Sequence, residues 1–153
     1  KQEVKDEYKD TEGKPEVKGR IRQMQQEMAQ RRMMTEVPNA DVIVVNPEHY
    51  AVAVKYDVSR SSAPFLIAKG VDDVAFRIRE IAREHNVAIV SAPPLARAIY
   101  HTTKVDQQVP EGLFTAVAQV LAYVFQLRQY QKGKGRRPKP IPLKQPIPDD
   151  LKH

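Results

Sequence analysis

The sequence predicts an α/β fold in which a small four-stranded central sheet is flanked by helices. Two patterns predict it: short segments that are apolar or alternate apolar with polar residues, and longer segments with apolar residues every three to four positions. These patterns follow one another between about residues 37 and 131. Outside that region we expect an N-terminal linker helix and a disordered, proline-rich C-terminal tail.

Four segments have the composition of strands. The first, Val42 to Val45, is a continuous apolar run, and the second, Tyr50 to Tyr56, alternates apolar and polar residues. Two shorter segments lie around Phe65 to Ala68 and from Val87 to Val90, with a turn expected at Gly70. Together they supply the predicted sheet.

Three segments have the periodicity of helices. Apolar residues share one face between Val71 and Ala82, and Asn86 can end that helix in a left-handed conformation. A short helix is expected from Leu95 to Thr102, after two prolines. The final helix, which opens near Pro110, is apolar almost all round, and this indicates burial on more than one side or a surface left for a partner.

The ends of the chain differ from the body in composition. Residues 1 to about 16 are charged, and a narrow apolar stripe then marks the linker helix, so residues 1–36 are predicted to be a linker. Residues 132–153 hold five of the twelve prolines and a cluster of basic residues, which predicts a flexible tail. The globular domain is therefore expected at residues 37–131. The stripe of the linker helix consists of Val17, Ile21, Met24 and Met28.

The net charge of +6 belongs to the tail. Residues 128–153 contain eight basic and two acidic residues, which leaves 17 of each sign in residues 1–127. A nucleic-acid-binding fold normally carries a basic face on the domain itself, so the neutral body disfavours that class. An alternative that remains open is binding of nucleic acid or acidic lipid by the basic cluster at Lys132 to Lys139.

Several classes of site are not indicated by the sequence. The chain has no cysteine, which excludes disulfides and thiolate metal sites, and its four histidines lack ligand spacing. No glycine-rich phosphate loop and no serine or cysteine nucleophile signature is present. We therefore expect no metal, no cofactor and no turnover enzyme. The histidines are His49, His85, His101 and His153.

The joint between the first two strands, Asn46-Pro47-Glu48-His49, combines a turn signal with unusual chemistry. Pro47 has no N–H, so ordinary asparagine deamidation, in which the next backbone nitrogen attacks the side-chain carbonyl, cannot occur at Asn46. The side-chain nitrogen of Asn46 can instead attack its own main-chain carbonyl carbon, closing a succinimide and cutting the chain before Pro47. Orientation by a turn could accelerate this step, since oriented groups reach effective molarities of roughly 10⁵–10⁸ M. His49 could protonate the departing nitrogen or donate a hydrogen bond to the carbonyl oxygen. An ordinary turn is the alternative interpretation.

Five segments, in their order and spacing, resemble the FlhB/YscU family of type III export specificity-switch proteins. The self-cleaving motif of that family is Asn-Pro-Thr-His; Asn46, Pro47 and His49 match it, whereas Glu48 replaces the threonine. The resemblance implies one intramolecular cut between Asn46 and Pro47. The rate of this cut is expected to depend on the replacement of the threonine hydroxyl by the longer, negatively charged side chain of Glu48. The segments are "NPEHYAVAVKYD", "SAP", "AKG", "RIREIAREH" and "APPLARAIY".

The resemblance also implies a cellular context. Members of the family carry an N-terminal four-helix part in the inner membrane, so this chain would be a fragment at the cytoplasmic face of that membrane. The basic tail resembles the flagellar branch, and an injectisome homologue is the alternative. The implied function is to dock export substrates and to switch specificity from the rod/hook class to the filament class. The implied partners are rod/hook-class flagellar export substrates, the hook-length control protein and the other export-gate protein with a large cytoplasmic domain, with no nucleic acid.

A gate that recognises many unfolded substrates needs a shallow apolar surface. Ala63 and Pro64 lie on the connection that precedes the third strand, where small side chains leave a dent and proline stiffens the backbone. Ala118 and Leu121 are three apart on the final helix and share a side. We therefore expect Ala63, Pro64, Ala118 and Leu121 to line one substrate-binding patch, with core and turn roles as the alternative.

Overall fold

The computed structural model describes residues 14–142 and 145–153, so most of the charged segment predicted at the N-terminus lies outside the described residues. The chain divides into two compact units, the first ending at Thr35 and the second running from Glu36 to His153. The described residues of the first unit, 14–35, lie almost entirely in helix α1 (Pro15–Glu36), which has no buried residue. A helix is therefore present where the apolar stripe predicts one, and the stripe is largely exposed; its role as a linker stays a prediction.

The second unit contains a four-stranded mixed sheet. Its strands are β1 (Val42–Asn46), β2 (Tyr50–Lys55), β3 (Phe65–Val71) and β4 (Ala88–Ser91), in the order β3-β2-β1-β4. The β1–β2 and β2–β3 pairs are antiparallel, whereas β4 runs parallel to β1. This arrangement makes β1 an interior strand.

The interior position of β1 explains its composition. Val42 pairs with Val54 of β2 on one side and with Ala88 of β4 on the other. All four residues from Val42 to Val45 are buried, because both faces of the sheet are covered. A strand covered on both faces is a continuous apolar run rather than an alternating one.

Helices cover the two faces of this sheet and confirm the predicted fold class. Helix α2 (Asp72–Glu84) packs against β2 and β3 on one face. Helices α3 (Pro93–Thr102) and α4 (Phe114–Gln131) share a hydrophobic core with the other face. Three short 3₁₀ turns complete the described structure, at Val37–Asn39, Glu111–Leu113 and Asp149–Leu151.

Strand β3 is longer than predicted, because the turn expected at Gly70 does not form. The strand continues to Val71, and α2 begins at the next residue. A Cβ atom at Gly70 would collide with the side chain of Val74 in the first turn of α2. Glycine is therefore needed here for close approach of strand and helix, and not for a turn. Asn86, in contrast, has the predicted left-handed conformation, with φ of 58°.

Helix α4 has one buried and one exposed side, although its sequence is apolar almost all round. The opening near Pro110 is a 3₁₀ turn, and the α-helix proper begins at Phe114. Phe114, Ala118, Ala122 and Phe125 remain exposed. An apolar surface is therefore left on this helix. The buried side consists of Ala116, Val117, Val120, Leu121 and Val124.

The tail has no helix or strand in residues 132–142 and 145–148, as its prolines predicted. It is nevertheless attached to the body, which the sequence did not predict. Ile147 is buried in the core cluster of α3 and α4, and Ile141 and Leu151 pack against the same cluster. The apolar residues between the prolines supply these contacts, so the expected free tail is corrected to a segment that packs along the domain.

Candidate functional site

The joint between β1 and β2 forms a tight turn. The backbone N–H of His49 donates a hydrogen bond of 3.1 Å to the carbonyl oxygen of Asn46. Pro47 occupies the second position of this turn, and Glu48 occupies the third with φ of 78°. A turn that is closed by this hydrogen bond, with proline at its second position and a residue of positive φ at its third, is a type II turn. The turn predicted for these four residues is therefore present.

The conformation of Glu48 makes this turn strained. A type II turn favours glycine or asparagine at its third position, since other side chains in the left-handed region cost about 1–3 kcal/mol. Glu48 is exposed and makes no contact that compensates within the described residues. The backbone is therefore held in place by the strand pair on either side, in which Asn46 faces Tyr50.

A substitution at this position should measure the strain. We expect Glu48→Gly, made in an Asn46→Ala background to keep the chain intact, to raise the free energy of unfolding by about 1 kcal/mol. Urea denaturation followed by circular dichroism measures this change. Glu84→Gly is the matched control: at the exposed last residue of α2, where φ is negative, the same change should lower stability slightly, by less than about 1 kcal/mol. Equal losses in both variants would contradict a strained turn.

Asn46 is placed so that its two reactive groups are differently restrained. Its carbonyl oxygen accepts the hydrogen bond from His49, which polarises the carbonyl carbon that the side chain would attack. Among the described residues no hydrogen bond holds its half-buried side-chain amide. The electrophile is thus fixed and activated, whereas the nucleophile is free to rotate towards it.

The imidazole of His49 contacts the start of α2. Its Nδ1 lies 3.3 Å from Oδ1 of Asp72, and the Asp72 backbone N–H donates to the carbonyl oxygen of His49 at 3.0 Å. Asp72 has a positive φ of 48°, so this contact accompanies a second unusual backbone conformation. A carboxylate on one ring nitrogen orients the imidazole and leaves the other nitrogen available for a proton. It is the backbone of His49 that bonds the Asn46 carbonyl, and the side chain is oriented by Asp72.

An aromatic cluster lies beside the turn. The rings of Tyr50 and Tyr100 are 5.1 Å apart, His101 lies 5.6 Å from Tyr50, and His153 stacks on His101 at 4.8 Å. The Nζ of Lys69 donates to the carbonyl oxygens of Tyr100 and Thr103 at the end of α3. Burial lowers the pKa of Lys69, and the charge of Lys104 adds to this effect. The cluster anchors the start of β2 to α3.

Sequence reasoning did not find Asp72, Tyr100 or Lys69 as neighbours of the turn. His49 and Asp72 are 23 residues apart, and no local pattern connects them. In the sequence, Asp72 is one acidic residue near the start of a predicted helix, and Tyr100 is part of one segment of the family resemblance. Contacts of this kind follow from the order of the strands and not from periodicity.

A family model decides the relationship of the chain to known proteins. The model of the "FlhB HrpN YscU SpaS Family" matches residues 1–124, which is most of the chain. The chain belongs to this family. The resemblance found in the sequence is thereby confirmed.

Individual members of the FlhB/YscU family are also similar to the chain. Flagellar biosynthetic protein FlhB of Salmonella typhimurium is 53% identical over 151 residues, and that of Bacillus subtilis is 55% identical over 129 residues. These matches cover 99% and 84% of this chain but only 39% and 36% of the two relatives. The crystal structure of the cytoplasmic domain of FlhB from Shewanella putrefaciens superimposes with a TM-score of 0.79 at 87% identity. It covers 81% of this chain and 95% of that domain.

The four residues expected to bind substrate have different environments. Ala63 is 3% exposed and Leu121 is 5% exposed and part of the core, whereas Ala118 is exposed and Pro64 is half-buried. The carbonyl oxygen of Pro64 accepts a hydrogen bond from the N–H of Val109, so this connection is held in place. Ala118 is therefore the residue of this set that is open to solvent.

Residues 14–142 and 145–153 contain neither a membrane-spanning helix nor a metal-binding cluster. No helix within these ranges is both long and apolar enough to cross a membrane. No group of three or more histidine, aspartate or glutamate side chains there could hold a metal ion.

Proposed function

We propose that this chain is the cytoplasmic part of a flagellar protein-export component that docks export substrates and switches between substrate classes. In this proposal the chain cuts itself once, between Asn46 and Pro47. The observation that supports the cut most directly is the type II turn, in which the Asn46 carbonyl accepts a hydrogen bond from the His49 N–H.

The cut proceeds by cyclisation of Asn46. Its side-chain nitrogen attacks its main-chain carbonyl carbon and loses a proton, and the hydrogen bond from the His49 N–H stabilises the negative charge on the carbonyl oxygen. The bond to Pro47 then breaks, and the proline nitrogen takes up a proton and leaves as an amine. Water opens the succinimide and leaves a free carboxylate on the N-terminal fragment. The imidazole of His49, which contacts Asp72, is the group of the motif that we propose to carry the proton.

The flagellar assignment is supported by the relatives. The matched proteins of Salmonella typhimurium and Bacillus subtilis are both named flagellar biosynthetic proteins, and more than half of the aligned residues are identical. These relatives extend well beyond the chain, since it spans 39% of the first. Because the family resemblance implies an inner-membrane part and the matched Shewanella putrefaciens structure is a cytoplasmic domain, we place the whole protein in the inner membrane with this part on the cytoplasmic side. Its partners in this proposal are rod/hook-class substrates, the hook-length control protein and the second large export-gate protein.

Substrate docking is proposed for the exposed side of α4 around Ala118. Phe114, four residues before it, is also exposed, so an apolar surface is available on this helix. Leu121 is buried in the core cluster on the other side of the same helix, whereas Ala63 is buried on the connection before β3 that Pro64 stiffens. The patch proposed from the sequence is therefore narrowed here to its exposed member, Ala118, and the exposed apolar residues beside it on α4.

An export experiment in cells tests the switching function. We expect Asn46→Ala in the full-length protein to permit secretion of rod/hook-class proteins but to prevent the change to filament-class proteins, because the cut that permits the switch is lost. Immunoblots of both classes in the culture medium measure this result. Asn39→Ala, an exposed asparagine that precedes no proline, should export both classes normally. Normal filament-class export by Asn46→Ala would refute a switching function that depends on the cut.

A further inference from the structure

A groove runs between helix α4 and the proline-rich tail. After α4 the chain reverses direction at Gly133 and Gly135, which both have positive φ, and the N–H of Lys134 donates to the carbonyl oxygen of Gln129. The tail then lies along the helix until Ile141 joins the core cluster. The open space between helix and tail has a volume of about 840 Å³. The groove lies outside the self-cleavage turn.

The floor and the wall of this groove differ in chemistry: the floor is formed by α4 and the wall by the tail. The helix supplies an apolar floor from Ala122 and Phe125, bordered by glutamines, and the ring of Phe125 is 38% exposed. The tail supplies a positive wall, and no aspartate or glutamate is among the described residues that line the groove. An occupant must therefore combine negative charge with an apolar side chain. The cations of the wall are Lys134, Arg136, Arg137 and Lys139.

The dimensions of the groove limit the form of the occupant. Its floor extends from Gln119 to Gln129, a helix rise of about 15 Å. An extended chain of about four or five residues has this length. Arginine also pairs with carboxylates through two parallel hydrogen bonds, which suits an acidic peptide. The apolar floor would contribute nothing to a nucleic-acid phosphate backbone.

We propose that this groove binds a short, extended, acidic segment of a partner protein. Carboxylates of the segment pair with Arg136 and Arg137, and a bulky apolar side chain rests on Ala122 beside Phe125. This binding is independent of the self-cut, because the groove contains no residue of the Asn46–His49 turn. The floor of the groove continues the exposed apolar side of α4 on which Ala118 lies, whereas Ala63 and Pro64 do not line it.

Fluorescence anisotropy with a defined probe tests this proposal. The probe is a labelled peptide that alternates aspartate with leucine and phenylalanine, titrated with the purified 153-residue chain. We expect saturable binding that weakens as salt is added, since exposed charge pairs are screened. The double variant Arg136→Ala/Arg137→Ala should bind about tenfold more weakly, as expected for the loss of two exposed charge pairs. Ala122→Glu should also weaken binding, because it places an anion on the apolar floor.

Matched controls separate this site from general charge effects. Arg20→Ala/Arg22→Ala removes the same charge from exposed positions of α1, and Ala29→Glu repeats the floor substitution there; neither should change the affinity. Asn46→Ala should bind the probe as the unchanged chain does, so a failure of the self-cleavage proposal would not affect this result. Circular dichroism melts confirm that each variant is folded.

Two outcomes would overturn the proposal. One is equal affinity for a peptide in which serine replaces leucine and phenylalanine, which would show a solvated basic surface only. The other is tighter binding of phosphatidylglycerol vesicles or single-stranded DNA than of the probe, with loss in the same arginine variants. That result would assign the basic wall to a membrane or to nucleic acid.

Discussion

The purified chain, kept at neutral pH and then denatured, is expected to separate into fragments 1–46 and 47–153. The expectation follows from the turn, in which the Asn46 carbonyl is hydrogen-bonded by the His49 N–H and the Asn46 side-chain amide is unrestrained within the described residues. Intact mass spectrometry should find the two masses and, at early times, an N-terminal fragment lighter by one water, which is the succinimide. Only the full-length mass after days would refute self-cleavage for a motif with Glu48.

Variants of the motif separate the contributions to the cut. Asn46→Ala should abolish it, because alanine has no side-chain nitrogen. Asp72→Asn should slow the cut but not prevent it, since it weakens the contact that orients the His49 imidazole while the backbone hydrogen bond remains. Asp73→Asn, an exposed neighbour in the same helical turn, is the matched control and should cut normally. Cleavage of Asn46→Ala at the normal rate would exclude cyclisation.

Aspartate at two positions of α4 should have opposite consequences for stability. Leu121 belongs to the core cluster, so Leu121→Asp buries an unpaired charge and should lower the free energy of unfolding by about 3–5 kcal/mol. Ala118 is exposed, and Ala118→Asp should change stability by less than about 1 kcal/mol. Urea denaturation measured in the Asn46→Ala background avoids a mixture of cut and intact chains.

The same pair of variants tests where substrate docks. Ala118→Asp should reduce binding of a rod/hook-class substrate to the folded domain, because it places charge on the proposed apolar surface. Ala29→Asp, the same change at an exposed position of α1, is the control for added charge alone. Unchanged substrate binding by Ala118→Asp at normal stability would move the docking surface away from this face of α4.

Periodicity predicted the helices and strands well where burial alone determines the pattern of apolar residues. The apolar run of β1 and the one-sided pattern of α2 each have a single physical cause, which is burial on two faces or on one. Gly70 shows where this reasoning fails: glycine is common in turns, and only the position of Val74 reveals that it is needed for close packing. The attached tail was missed for a similar reason. Its prolines correctly excluded helix and strand, but the burial of Ile147 depends on a surface formed by α3 and α4.

For the candidate site, the sequence supplied a hypothesis about covalent chemistry but not the surrounding geometry. The absence of an N–H on Pro47 is a property of the sequence, and it indicates that Asn46 can react only through its own side-chain nitrogen. The strain at Glu48 and the orientation of His49 by Asp72 could not be inferred from the sequence, because both arise from the geometry between β1, β2 and α2. For the docking surface, residue type alone did not distinguish Ala118 from Ala63, since an alanine is equally common in a core and on a helix surface.

The interior position of β1 has a thermodynamic consequence for a chain that cuts itself after Asn46. Before the proposed cut, folding of the domain is unimolecular; after it, the native state would be a complex of two chains, held by the pairing of β1 with both β2 and β4. Separation of the fragments would remove a central strand and expose both faces of the sheet, so dissociation and unfolding become one event. The stability of the cut protein then depends on its concentration by mass action, whereas that of the intact chain does not. The fold would stay the same, but the two parts of the domain would be held together by a non-covalent association equilibrium and no longer by a peptide bond.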